Sequence, residues 1–224
     1  MTPICLRFFS LFFLLSSYLL CGCDTRFELP LEPSPLPECA PLTEVRVALV
    51  LGGGGARGVS HLGVLEELEK AFIPIDAIVG CSAGSIVGAL YADGHSPKEL
   101  VKALKTLRKW DVLDIHLCKC RYGIAQGLSL ERFLKKHLKS RCFSDLLFPF
   151  YAVATDLVAG ELVTIGAGPL IPAIRASSAI PLIFRPVLLH ERMLVDGAVA
   201  DPVPVKSAKA LGAKIVVDHS FKAF

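Results

Sequence analysis

The stretch with the clearest potential for chemistry is Gly80-Cys81-Ser82-Ala83-Gly84, which sets a serine between two glycines. It follows the apolar run 75–79 and precedes the apolar segment 85–92, which is typical of a helix. A strand, a sharp turn and a helix in this order form a nucleophile elbow, in which the serine hydroxyl is held out at the turn. Gly80 and Gly84 suit such a turn because a Cβ at either position would crowd the backbone. The plainer alternative is a helix start built from small residues, with Ser82 or Ser85 as its cap.

A second candidate is the glycine-rich segment Gly52–Gly58, which joins the predicted strand 45–51 to a helical pattern of apolar residues. Such a loop at a helix N-terminus offers free backbone N–H groups to an anion. A phosphate-binding P-loop is excluded, because Lys and Ser or Thr do not follow Gly58. A dinucleotide remains an alternative with Asp76 as its ribose contact, although Asp76 precedes the second strand's apolar residues instead of ending that strand. The third candidate anion is the oxyanion of an acyl-transfer transition state beside Ser82.

The elements that position these segments alternate along the chain. A capping box with Pro97 at the first helical position starts a helix after Ser96, which buries Val101, Leu104, Leu107 and Trp110. Further patterns predict helices at 129–138, 169–178 and 202–211, and strands at 147–155, 161–165, 193–195 and 214–217. The strands at 147–155 and 161–165 form a hairpin-like pair. The expected fold is α/β, with a mainly parallel central sheet flanked by helices over residues 45–224.

Three of these segments, taken together and in order, resemble the patatin-like phospholipases. Gly53 to Gly58 is similar to the oxyanion loop of that family, Gly80 to Gly84 to its elbow, and Asp196-Gly197-Ala198 to its Asp-Gly-Gly/Ala motif. The segments 155–161 and 176–181 also resemble segments of the family. The likeness runs from about Val45 to Asp218, so it implies the family's three-layer core.

The resemblance implies a Ser-Asp dyad that hydrolyses acyl esters of lipids. Ser82 would attack the carbonyl and Asp196 would accept its proton, then activate water. The oxyanion would lie on N–H groups of the loop that contains Gly53, Gly54, Gly55, Arg57 and Gly58.

For three side chains near these motifs, the sequence does not indicate a catalytic role. Arg57 is either a loop or head-group contact or a surface arginine, His61 is expected to be structural, and Cys81 to fill space beside the nucleophile.

The residues are also compatible with two other functions. His219 follows Asp196 in the chain order of an α/β-hydrolase, so a Ser-His-Asp triad is an alternative enzyme. The other alternative is not an enzyme but a lipoprotein that binds lipids or proteins without turnover.

The first 44 residues are expected to lie outside the catalytic domain. Arg7 and the apolar stretch 8–20 predict a signal peptide over 1–22. Leu20-Cys21-Gly22-Cys23 resembles a bacterial lipobox, which makes Cys23 the expected lipidation site; the alternatives are an ordinary secretory signal or an uncleaved anchor. Residues 23–44 carry five prolines and predict a stiff tether. The expected location is therefore the bacterial cell envelope, with the domain held at a membrane.

The charge distribution and the cysteine spacing indicate which partners and cofactors the protein is expected to bind. The net charge is only +3, but residues 98–141 hold twelve Lys or Arg against four Asp or Glu. That basic region either faces an anionic membrane or is a solvated helix surface. The cysteines lack zinc-like spacing, so we expect no metal and no cofactor. The expected partners are a lipid or ester substrate and a membrane, and no nucleic acid.

Overall fold

A computed structural model of the chain describes residues 45–106, 114 and 123–220. The signal peptide, the tether, Cys23 and the side chains of Leu107 and Trp110 therefore lie outside the described residues. Among the described residues, no helix is both long enough and apolar enough to cross a bilayer.

The described chain alternates strands and helices, as the sequence patterns predict. The strands are β1 (Val47–Leu51), β2 (Ala77–Cys81), β3 (Gly123–Ala125), β4 (Phe150–Asp156), β5 (Leu162–Ile165), β6 (Leu182–Phe184), β7 (Val187–Leu189), β8 (Arg192–Asp196) and β9 (Ile215–His219). The helices are α1 (His61–Lys70), α2 (Ala83–Ala92), α3 (Pro97–Lys105), α4 (Leu128–His137), α5 (Leu170–Ser177) and α6 (Val205–Ala210), with 3₁₀ turns at Gly55–Ser60, Phe143–Asp145 and Gly197–Val199.

In the described part of the chain, seven strands form one sheet. Neighbours in the series β7-β8-β4-β2-β1-β9 are hydrogen-bonded, and β5 also pairs with β4. Strands β9, β1, β2 and β4 run parallel, and β5, β7 and β8 run antiparallel to their partners. The fully buried strands β1 and β2 are near-continuous apolar runs, as expected for parallel strands covered on both faces. The α/β class with a mainly parallel central sheet is confirmed.

Alternate residues of the strands enter two separate cores, which gives the three-layer arrangement. Leu49, Leu51 and Ile78 pack with helices α1 to α5 on one face of the sheet. Val50 and Val79 pack on the other face, against a smaller layer that includes Ala208 of α6. The predicted capping box of α3 is present, since Ser96 Oγ accepts from the Glu99 N–H and the Glu99 carboxylate accepts from the Ser96 N–H.

Strand β4 brings the ends of two other strands together. β2 pairs with residues 150–153 of β4, and the antiparallel β8 pairs with residues 154–156. β5 pairs with residues 152–155 and overlaps both registers, so it occupies the opposite edge of β4. β2 and β8 therefore lie end to end on one edge, with their C-terminal ends meeting between Val153 and Ala154.

Candidate active site

Ser82 lies at the meeting point of β2 and β8, on the turn from β2 into α2. Its backbone has φ 51° and ψ −118°, a conformation that residues with a side chain rarely adopt. The flanking glycines are needed for close packing: a Cβ at Gly80 would lie 2.6 Å from Ser85 Cα, and one at Gly84 would overlap the backbone of Leu51. These contacts are those of a strained strand-to-helix elbow.

Several hydroxyls hold the backbone of Ser82 in this conformation. The Ser82 N–H donates to Ser177 Oγ at 3.0 Å. The Ser82 carbonyl accepts from the Ser85 hydroxyl at 2.7 Å and from the Ser178 hydroxyl at 3.3 Å. It also accepts from the N–H groups of Ser85 and Ile86. Both backbone polar groups of the buried serine are thus satisfied, the N–H by a single side chain.

Asp196 ends β8 and meets the serine directly. Ser82 Oγ donates to Asp196 Oδ2 at 2.7 Å, and both residues are buried, with 6% and 3% of their surfaces exposed. Asp196 Oδ1 accepts from the Ala198 N–H, and the backbone of Asp196 is fixed by bonds to Ala179 and Thr155.

Burial raises the pKa of Asp196 above its ordinary value, and the hydrogen bonds from Ser82 and Ala198 offset part of this rise. A carboxylate with a raised pKa is a stronger proton acceptor than an exposed aspartate.

The glycine-rich loop runs beside this pair. A Cβ on Gly53 would lie 3.5 Å from Ser82 Cβ, and one on Gly58 would lie 2.5 Å from Ala83 Cβ. The N–H of Gly52 donates to the His219 carbonyl and that of Gly53 to the Pro202 carbonyl. Among the described residues, no partner accepts from the N–H groups of Gly54, Gly55 and Ala56, so these are the candidate oxyanion donors of the loop. Arg57 is exposed on the 3₁₀ turn that follows.

His219 is not placed to serve a catalytic triad. The hydroxyl of Ser82 contacts the carboxylate of Asp196 without an imidazole between them. His219 Nδ1 lies 2.7 Å from His61 Nδ1, and His61 Nε2 lies 2.9 Å from the Gly52 carbonyl. Because a carbonyl only accepts, His61 carries its proton on Nε2 and His219 donates through Nδ1. The structure contradicts the triad alternative.

The remaining candidates have structural roles. His61 is fully buried, and burial lowers its pKa to about 4, so it stays neutral, in agreement with the expectation of a structural histidine. Burial raises the pKa of the Cys81 thiol, which stays protonated. Asp76 accepts from the N–H groups of Arg46 and Val47 at the start of β1, the opposite end of the strand from the glycine loop. Asp76 is therefore too remote for the dinucleotide alternative.

The sequence did not identify Ser177 and Ser178 as functional. Both fall in the segment 176–181 that resembles the family, but neither the composition nor the spacing of that segment indicates a contact with residue 82. Within the described part of the chain, no group of three or more His, Cys, Asp or Glu is arranged to hold a metal ion.

Sequence comparisons relate the chain to one protein family. The family model described as patatin-like phospholipase matches residues 49–209. An uncharacterized NTE family protein of Mycobacterium tuberculosis is 37% identical over 174 residues, which cover 77% of this chain and 48% of the relative. The human patatin-like phospholipase domain-containing protein 6 is 34% identical over 188 residues, which cover 79% of this chain and 13% of that protein. Lysophospholipase NTE1 of Cryptococcus neoformans is 34% identical over 181 residues, which cover 77% of this chain and 11% of that protein.

A solved structure extends the likeness to the fold. The crystal structure of VipD from Legionella pneumophila matches with a TM-score of 0.58 at 14% identity, over 90% of this chain and 55% of that one. The chain thus spans about half or less of the length of the relatives described here. The family model alone covers well over half of the chain, and the glycine loop, elbow and Asp-Gly-Ala segments lie within it. The chain belongs to the patatin-like phospholipase family.

Proposed function

We propose that the chain is a lipid acyl hydrolase that uses Ser82 and Asp196 as a catalytic dyad. The observation that carries the proposal is the direct 2.7 Å hydrogen bond from Ser82 Oγ to Asp196 Oδ2 inside a buried elbow. The names of the human and fungal relatives, a phospholipase domain protein and a lysophospholipase, support an ester of a phospholipid or lysophospholipid as the substrate.

The first half-reaction transfers the acyl group to the enzyme. Ser82 Oγ attacks the ester carbonyl carbon while its proton moves to Asp196 Oδ2, and the carbonyl oxygen becomes an oxyanion. The N–H groups of Gly54 and Gly55 donate to that oxyanion. The tetrahedral intermediate collapses, the C–O bond to the alcohol breaks, and Asp196 returns the proton to the departing oxygen.

The second half-reaction releases the fatty acid. Asp196, again a carboxylate, takes a proton from a water molecule that attacks the acyl-enzyme carbonyl. The bond to Ser82 Oγ then breaks, and the proton on Asp196 restores the serine hydroxyl. The raised pKa of Asp196 supports both halves, since the carboxylate must gain and lose a proton in each cycle.

The test compares the full chain in detergent with two dyad variants. Hydrolysis of a p-nitrophenyl ester and of lysophospholipid should fall at least about a thousandfold in Ser82→Ala and in Asp196→Asn. Ser207→Ala, which changes a buried serine on α6, and Asp218→Asn, which changes an exposed aspartate, are the matched controls. If all five proteins show the same background, the chain is a lipid-binding or protein-binding member of the family without turnover.

We also propose that lipidation at Cys23 holds residues 45–224 at a membrane of the bacterial cell envelope, through the tether 23–44. Support comes from the lipobox-like sequence and from exposed basic side chains on α3 and α4, among them Lys98, Lys102, Lys135 and Lys136. Labelling of cells with a fatty-acid analogue should modify the wild-type chain and not Cys23→Ser. Equal labelling of both, or of neither, would refute the proposal.

A further inference from the structure

A small pocket shares residues with the proposed active site and contains an arginine that has no counter-ion among the described residues. Its lining includes Arg175, Ser178, Ala179, Phe184 and Arg185. Two of these contact the dyad: the Ser178 hydroxyl donates to the Ser82 carbonyl, and the Ala179 carbonyl accepts from the Asp196 N–H. Residues that line the pocket therefore contact the backbones of both members of the dyad.

The two arginines of the pocket differ in their partners. Arg175 donates to the Glu131 carboxylate at 2.7 Å and to the Gln126 carbonyl at 2.8 Å, so its guanidinium has a carboxylate partner and a fixed position. Glu131 is also paired with Lys135. Arg185 is partly buried, yet its guanidinium has no hydrogen bond or ion pair among the described residues.

The backbone around Arg185 is held firmly. Its N–H donates to the Ala125 carbonyl, next to the parallel pairing of β3 with β6. Phe184, directly before it, is buried. A guanidinium without a carboxylate partner among the described residues has its N–H donors available, and guanidinium groups form strong bidentate hydrogen bonds with phosphate.

We propose that Arg185 binds the phosphate group of the substrate and so determines the preference for phosphate-bearing esters over neutral ones. This inference rests on the proposed function, because it takes the ester to lie at Ser82. Arg185 makes no bond to the reacting atoms; it sets which esters bind with the carbonyl at the serine.

The experiment compares esters that differ only in the phosphate group. The full-length protein is given 1-oleoyl lysophosphatidylglycerol, 1-oleoyl lysophosphatidylcholine and 1-monooleoylglycerol, which have the same acyl chain and ester. In Arg185→Gln, the ratio of kcat/KM for either lysophospholipid to that for monooleoylglycerol should fall about ten- to hundredfold, as expected for loss of a charged hydrogen bond. Arg185→Lys should recover part of the lost ratio. Arg46→Gln, an exposed arginine at the start of β1, should keep the wild-type ratio.

A binding measurement separates the failure of this inference from the failure of the proposed function. Glycerophosphocholine has the phosphate but no ester, so its binding to Ser82→Ala by calorimetry needs no turnover. The added Arg185→Gln change should weaken that binding about ten- to hundredfold, and inorganic phosphate should compete with it. The inference would be overturned, even in an active enzyme, if Arg185→Gln left the kcat/KM ratio unchanged or lowered kcat/KM for monooleoylglycerol as much as for the lysophospholipids. It would also be overturned if Arg185→Gln did not weaken the binding of glycerophosphocholine. If the wild type hydrolyses none of the esters, the proposed function fails, and the calorimetry alone decides on Arg185.

Discussion

The hydroxyl of Ser177 is the sole acceptor for the buried N–H of Ser82 among the described residues, and its removal gives a quantitative prediction. Ser177 is completely buried, so water cannot replace the 3.0 Å hydrogen bond in Ser177→Ala. An unsatisfied buried N–H costs about 1–3 kcal/mol of unfolding free energy, which lowers the Tm of a domain of this size by about 2–12 °C. Ser82 also sits in a strained conformation, so the loss of this bond lets the nucleophile shift.

The adjacent serine is the matched control. Ser178 also bonds to Ser82, but to its carbonyl, which keeps donors from Ser85 and Ile86 when Ser178 is changed to Ala. Ser178→Ala should therefore cost about 1 kcal/mol or less.

Thermal unfolding and p-nitrophenyl ester kinetics measure both effects. Ser177→Ala should lower kcat about tenfold or more with little change in KM, because misplacement of the attacking atom affects the chemical step. If the two variants lose stability and kcat equally, or if Ser177→Ala loses neither, then Ser177 does not position the nucleophile.

Other predictions concern the dyad and the loop. The Asp196 carboxylate must be ionised to act as a base, so kcat/KM should fall tenfold per pH unit on the acid side, with a midpoint above the ordinary aspartate value. A carboxyl pKa that is higher in the folded state adds stability at low pH, and this is lost as the pH rises through the folded pKa, so Asp196→Asn should keep or raise the Tm at pH 7. Gly58→Ala should reduce activity, because the new Cβ would meet Ala83 Cβ at 2.5 Å, whereas Gly63→Ala on α1 meets nothing within 4 Å and should stabilise by about 0.5–1 kcal/mol. Ser82→Gly should be about 1 kcal/mol more stable than Ser82→Ala, since glycine adopts φ 51° without strain. A flat pH profile, an active Gly58→Ala, or equal stability of the two Ser82 variants would each contradict the corresponding argument.

Local sequence patterns were enough to predict the framework of the site. Apolar runs predicted β1 and β2, and the capping box placed the start of α3 correctly. The glycines around Ser82 indicated an elbow because close packing there leaves no space for a side chain. The strand predicted at 147–155 begins three residues later, at Phe150, and the helix predicted at 202–211 is shorter, at Val205–Ala210.

The features that the sequence did not predict depend on contacts between segments that are distant along the chain. The end-to-end arrangement of β2 and β8 follows from the registers of both strands on β4, and no local period encodes these. Strands β3, β6 and β7 have three residues each, too few to show alternation. The hydrogen bond between Ser177 and Ser82 spans 95 positions, and the contact between His61 and His219 spans 158. Serine and histidine types alone do not indicate such partners.

The most direct test of the central claim is the rate at which a fluorophosphonate probe modifies the serine, measured by intact-protein mass spectrometry with peptide mapping. For a Ser-Asp dyad we expect a single adduct on Ser82 in the wild type, at least about a hundredfold slower modification in Asp196→Asn, and a rate within about tenfold of wild type in His219→Ala. Modification of Ser82 that is independent of Asp196, or that is lost in a folded His219→Ala protein, would contradict a dyad in which the aspartate acts on the serine directly.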